Sequence, residues 1–315
     1  MHGFGRLTAA LVLAGFAPGL HAQSMPPWSK GMNDPGVHGY VFRVPDVDNV
    51  PDLHGNPADA RLVLFIGGNQ FFVLPQLVHA FELLHPDLKG HIFYETLPPG
   101  ILRRQIAAND TLTLGNLTLR VKPDVFEAGA RAVTQMQKSG QLRNVVRYAT
   151  NDLAIMVRAG NPKHIRSLND LARPDLRVSM PNPEWEGVAQ QIAASLRKAG
   201  GEALQTAVYT NKVKEGSTRL TEIHHRQTPM RIMNGSADAG VTWSSEVHFQ
   251  QSIGNPIAGV EIPAAQNTQA IYAGGVMTDA PHPEAAVQWL AFLKTCQARA
   301  IYHQYGFTPM TQISK

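Results

Sequence analysis

Hydrophobic and polar positions fall in blocks along this chain, and the most informative block runs from Leu62 to Leu88. Leu62–Ile66 is an unbroken apolar run of strand length, as expected for a strand buried on both faces. Gly67-Gly68-Asn69-Gln70 follows as a sharp turn, glycine tolerating torsions that other residues resist. Val73, Leu74, Leu77, Val78, Phe81 and Leu84 then recur at helical spacing and predict a helix with one buried face, stopped by His85-Pro86. Strand, glycine turn and helix make the opening unit of an open α/β sheet, whose ligands bind outside the carboxyl ends of the strands. The helix start supplies unpaired N–H groups and a positive dipole end, a seat for an anion.

The same reading continues along the chain. It predicts a strand at Ile92–Tyr94, a helix at Ile101–Ala107, a strand or hairpin arm at Leu117–Val121, and a strand closing at Asp124–Gly129 that opens a helix to Ser139. Strands follow at Val145–Tyr148 and Leu153–Val157, and Arg158–Pro162 is a candidate crossing between two lobes. Ser167-Leu-Asn-Asp170 fits a capping box. The second half predicts a strand at Leu176–Met180, a turn at Pro181–Gly187, and a helix burying Val188, Ile192 and Leu196 that ends at Gly200-Gly201. A strand at Ala207–Tyr209, a helix opened by Glu215-Gly216-Ser217-Thr218, a short helix at Met230–Asn234 and a strand at Ala239–Trp243 come next. Ala270–Met277 is the expected return crossing, ahead of two terminal helices, Pro283–Thr295 and Gln297–Tyr305. The fold class is α/β, with residues 61–157 and 274–315 expected in one lobe and 158–273 in the other.

The amino-terminal block has another character. Arg6, the apolar run Leu7–Ala17 and a small-residue site at Ala22 read as a cleaved export signal over residues 1–22, too short to span a bilayer. With Cys296 as the single cysteine, no internal disulfide and no lipid anchor at a new amino-terminal cysteine are possible, and the expected compartment is the periplasm. Without residues 1–22 the chain carries 27 basic and 24 acidic residues, scattered rather than clustered, which argues against a nucleic-acid partner. Residues 23–60 form a Pro/Gly-rich arm leaning acidic, with one short strand expected near Tyr40–Val44. Asp46, Asp48, Asp52 and His54 in it read as a solvated loop rather than a metal cluster, since no calcium-loop glycine pattern accompanies them.

Several phrases carry a resemblance. Phe81-Glu-Leu-Leu-His-Pro86, Gly160-Asn-Pro with Ser167-Leu-Asn-Asp-Leu171, Met233-Asn-Gly-Ser-Ala-Asp-Ala-Gly240 and Ala300-Ile-Tyr-His-Gln-Tyr-Gly-Phe-Thr-Pro309 together resemble the type II periplasmic solute-binding proteins, in their molybdate/tungstate branch. The resemblance covers about Leu62 to Pro309. It implies two lobes, each a mostly parallel sheet flanked by helices, joined by crossing strands and closing on a small solute. It also implies a monomer that delivers this solute to the membrane permease of an ABC importer, with no cofactor and no catalysis.

On that resemblance the ligand-binding turns hold Gly68, Asn69 and Gln70; Glu95 and Thr96; Glu184, Trp185 and Gly187; Glu215, Ser217 and Thr218; and Trp243. The familiar molybdate binders have hydroxyl-rich, nearly acid-free turns, whereas here Asn69 and Pro98-Pro99 stand where serines are expected and Glu95, Glu184, Glu186 and Glu215 intrude. Archaeal-type tungstate binders are more similar: Asn182-Pro-Glu184 and Val213-Lys-Glu215 resemble their two carboxylate segments, implying Glu184 and Glu215 as carboxylate ligands of a bound oxometalate. A divalent metal, a metal chelate or a small organic solute stacked on Trp185 and Trp243 is the alternative, because acids crowd the turns. A third reading is an exported enzyme using Glu184 and Glu186 as an acid/base pair, although no nucleophile-elbow, zincin or P-loop motif occurs. Glu186 itself reads as a structural acid at a helix start, and His224-His225 as part of a solvated helix face.

Overall fold

A computed structural model of the chain describes residues 42–43, 51–114 and 117–310; the expected export signal and most of the arm lie outside the described residues. In chain order the elements are β1 (Phe42–Arg43), β2 (Pro51–His54), β3 (Leu62–Ile66), α1 (Leu74–Leu84), β4 (Ile92–Glu95), α2 (Pro99–Ala107), β5 (Thr111–Leu114), β6 (Leu117–Arg120), β7 (Val125–Gly129), α3 (Ala130–Lys138), β8 (Leu142–Asn151) and β9 (Leu153–Arg158). Then come β10 (Val178–Met180), α4 (Gly187–Thr206), α5 (Lys212–Lys214), β11 (Thr218–Leu220), α6 (Gln227–Met233), β12 (Ala239–Trp243), α7 (Ser244–Ser252), β13 (Ile257–Glu261), β14 (Ala270–Met277), α8 (Pro283–Phe292), α9 (Cys296–Gln304) and β15 (Thr308–Pro309).

Among the described residues the strands form an eight-stranded sheet ordered β1-β2-β4-β3-β7-β14-β8-β15, a five-stranded sheet ordered β11-β10-β12-β9-β13, and the β5-β6 hairpin. Parallel pairing occupies β4-β3-β7 in the first sheet and β11-β10-β12 in the second. The continuous apolar run of β3 is explained by burial on both faces. Leu62, Leu64 and Ile66 pack into the cluster holding Leu77, Phe81 and Trp289, while Val63 and Phe65 pack with Leu102 and Val133, as the two-residue period of a strand requires.

The chain leaves the first sheet earlier than expected. β9 pairs with β12 and β13 in the second sheet, so the crossing falls at Asp152, between β8 and β9, rather than at 158–162. A second correction lies in the stretch read as strand then helix. Ala207–Asn211 is a helical turn, because Leu204 and Val208 lie four apart and bury one face. Three apolar residues in a row do not separate a helix from a strand. Glu215-Gly216-Ser217 opens no helix; it leads into β11, which pairs in parallel with β10. Gly200-Gly201 does break the helical backbone, Gly201 with φ of 69°, and helix resumes beyond it.

Candidate functional site

The turns that follow the parallel strands of both sheets face one another across a cavity of about 250 Å³. That is below the ~300–1,000 Å³ of drug-sized pockets, so the space suits a small solute. The first sheet contributes Gly68 and Asn69 after β3, Pro98–Gly100 and Arg103 at the start of α2, Gly129 and Arg131 at the start of α3, and Tyr272 of β14. The second contributes Pro183–Val188 before and within α4, His224 and His225 after β11, and Trp243 at the end of β12. The starts of α2, α3, α4 and α7 carry no side-chain cap, leaving first-turn amides directed at the region where the strands end.

Two buried ionic clusters flank this space. Glu186, immediately before α4, accepts the Asn182 N–H at 2.8 Å and the Thr221 hydroxyl on one oxygen, and the His225 N–H and ring Nδ1, both at 2.6 Å, on the other. His225 Nε2 meets Glu246 Oε1 at 2.7 Å, and the other Glu246 oxygen accepts from Thr242. Burial favours a neutral imidazole, but the charge of Glu246 and the bonds to both carboxylates outweigh it and raise the His225 pKa to about 10. Burial likewise pushes the Glu186 carboxyl up, yet the hydrogen bonds and charge of His225, with Thr221 and Asn182, hold it below its ordinary value. The group is therefore a carboxylate–imidazolium–carboxylate chain. The expectation that His224-His225 forms a solvated face is overturned, both being buried.

The second cluster joins the two lobes. Asp52 of β2, read as a solvated arm residue, is buried and faces His224 Nε2 and Arg226 Nη2, each at 3.0 Å. Burial raises its pKa, and the charges of His224 and Arg226 more than reverse this. Arg226 also donates to the carbonyls of Thr96 at 2.7 Å and Gly68 at 3.1 Å, with its guanidinium 4.4 Å above the Phe71 ring. Nearby, the Gly100 N–H donates to the Trp185 carbonyl across the cleft at 3.0 Å. A Cβ at Gly100 would lie 2.6 Å from Trp185 Cα, and one at Gly68 would lie 2.6 Å from the Thr96 carbonyl oxygen. Backbones meet here because no side chain stands between them.

Of the expected site residues, Gly68, Asn69, Glu184, Trp185, Gly187 and Trp243 line the cavity, and Gln70, Glu95, Thr96, Glu215, Ser217 and Thr218 do not. Gln70 is a core residue, donating to Tyr148 at 2.9 Å and accepting from Tyr302 at 2.8 Å. Glu95 is buried against Gln105, which donates to it at 3.0 Å, and burial pushes its carboxyl up to about 8. Glu215, Ser217 and Thr218 stand at the amino end of β11, since Thr218 pairs with Val178 while the cavity follows Met180. Glu184 is exposed and paired with Arg104 at 2.8 Å. Of the two carboxylates expected to share an oxometalate, Glu184 lines the cavity and Glu215 does not. Accordingly Glu215→Gln is expected to leave solute affinity unchanged by titration calorimetry; a tenfold loss, about 1.4 kcal/mol, would return Glu215 to the site.

The sequence reading missed Tyr272, His225 and Asp52. Tyr272 lines the cavity while its hydroxyl accepts from Asn69 and, at 3.4 Å, from Asn151. His225 follows the strand Thr218–Leu220, which places residues 221–226 on the cleft, but three residues are too few to show a strand period in the sequence.

A family model for bacterial extracellular solute-binding proteins matches residues 62–308. The chain belongs to that family. Within it, the chain is 28% identical over 211 residues to the molybdate-binding protein ModA of Mycobacterium tuberculosis, covering 66% of this chain and 74% of the relative. It is 23% identical over 209 residues to a sulfate-binding protein of Synechococcus elongatus, covering 64% of this chain and 59% of that one. Among solved structures, the periplasmic molybdate-binding protein of Azotobacter vinelandii superposes with a TM-score of 0.63 at 16% identity, over 80% of this chain and all of that one. The sulfate-binding protein SubI of M. tuberculosis gives 0.63 at 20% identity, over 80% and 87%. These superpositions carry the two-lobe fold expected from the sequence.

Proposed function

We propose that the protein captures a small oxyanion in the interlobe cleft, molybdate or tungstate first, and delivers it from the periplasm to the membrane permease of an ABC importer. The observation that carries this reading is the convergence of uncapped helix starts on a cavity of about 250 Å³ with Arg103 and Arg131 at its edge. Partial positive charge on first-turn amides, added to guanidinium charge, favours an anion. The named relatives, which bind molybdate and sulfate, support the same class. In this reading the lobes follow the two sheets, residues 1–22 are removed on export, and the protein acts as a monomer. The carboxylate-coordinated form of the site is no part of this reading, because Glu215 does not line the cavity.

Thermal unfolding against molybdate, tungstate, sulfate and phosphate tests the proposal. A solute at 100 times its Kd adds about 2.7 kcal/mol, a shift of several degrees, and molybdate and tungstate are expected to give it. A second reading, a small organic anion, is favoured by the aromatic walls Trp185, Trp243 and Tyr272. A response to small carboxylates with none to the oxyanions would select it.

A further inference from the structure

The two sides of the cleft treat negative charge differently. On the first-lobe side, α2 and α3 have no acid in their first turns and bring Arg103 and Arg131 to the cavity. On the second-lobe side both helix starts hold a carboxylate of their own: Glu186 stands immediately before α4 and Glu246 lies in the first turn of α7. Glu186 lines the cavity, is 2% exposed, and sits at the carboxyl ends of β10 and β11, the place where an open α/β sheet ordinarily seats its ligand. Its two oxygens take four donors from Asn182, Thr221 and His225, so no lone-pair direction is left for a solute.

We infer that Glu186 is a built-in anion that fills the second lobe's anion seat, so that the solute's negative charge is held by the first lobe, on the starts of α2 and α3. Glu186 is then a specificity-determining residue that contributes no direct contact charge to the solute and bars a second anion from the cleft. The inference rests on the anion-binding reading of the cleft, but the donor set around Glu186 exists whatever the natural solute.

The test is Glu186→Ala, which empties the seat and leaves its donors in place. Formate is the probe, a carboxylate small enough to enter the vacated space. Saturating sodium formate is expected to raise the melting temperature of Glu186→Ala, relative to sodium chloride, by several degrees more than it raises that of the native protein or of the isosteric Glu186→Gln, whose shifts report the first-lobe seat alone. A folded Glu186→Ala protein whose formate shift does not exceed the native one would overturn the inference. If Glu186→Ala does not fold in chloride, recovery of folded protein by refolding in formate supports the inference, and no recovery overturns it. These readouts need no oxyanion, so a failure of the molybdate proposal with a formate-responsive variant remains distinguishable from a failure of the seat itself.

Discussion

Replacing His225 with alanine is expected to lower the unfolding free energy by about 3–5 kcal/mol, the cost of leaving a buried ionic partner uncompensated. Two carboxylates, Glu186 and Glu246, would lose the cation between them while remaining buried. Urea denaturation at neutral pH measures the loss, and a change below 1 kcal/mol would mean that the chain is not ionic. The pH dependence gives the sign independently. His225 holds its second proton to about pH 10 when folded and only to about 6.5 when unfolded, so its stabilisation is full below 6.5 and vanishes as pH rises through 10. Glu95 and Glu127, pushed up by burial to about 8 and about 7, add to the same trend, because the folded state keeps protons that the unfolded state has released. At the acid end the depressed Glu186 and Asp52 act oppositely, losing their contribution as pH falls through their folded values. Native stability should therefore decline from mildly acidic to alkaline pH, and the part between 6.5 and about 10 should be flatter in His225→Ala.

The second large effect is expected at Gly100, on affinity rather than on stability. A methyl group there would meet the Trp185 backbone, which belongs to the other lobe, at 2.6 Å, and opening of the cleft is expected to relieve the clash. Overpacking of this kind costs ~1–3 kcal/mol, and because it falls on the closed state alone it should weaken solute binding about 5- to 150-fold. The helix itself should gain, alanine being favoured over glycine in a helix by up to about 1 kcal/mol. A melting temperature equal to or above native with a sharply raised Kd is the expected pair of results for Gly100→Ala. Equal affinity would show that the 3.0 Å bond from Gly100 to Trp185 is no part of the bound state.

Much of the first lobe was legible in the sequence because its strands are long apolar runs set off by glycine and proline. Leu62–Ile66, the turn at Gly68 and the helix ending before His85 stand as expected. The second lobe was less so between Ala207 and Arg226. There, short apolar stretches fit either period, and a three-residue strand at Thr218–Leu220 leaves almost no pattern. The cost was functional: misplacing β11 put Glu215 in the cleft and took His225 and Arg226 out of it. Asp52 was missed for another reason. Its partners lie about 170 residues away in the chain, and a lone acid in a polar arm looks the same whether it is solvated or paired.

The crossings between the sheets set how the cleft can open. Only Asp152 separates β8 from β9, whereas residues 262–269 separate β13 from β14. The two paths are also fastened to each other: Asn267 accepts the Leu153 N–H at 3.1 Å and donates to the Leu153 carbonyl at 2.8 Å. A jaw hung on one pin and one braced strap has a single easy axis of swing. Sliding and twisting of one lobe past the other would have to break the brace. Opening about this axis would separate Gly100 from Trp185 and lift Arg226 off Phe71 in the same stroke, so the mouth is expected to unzip as a unit.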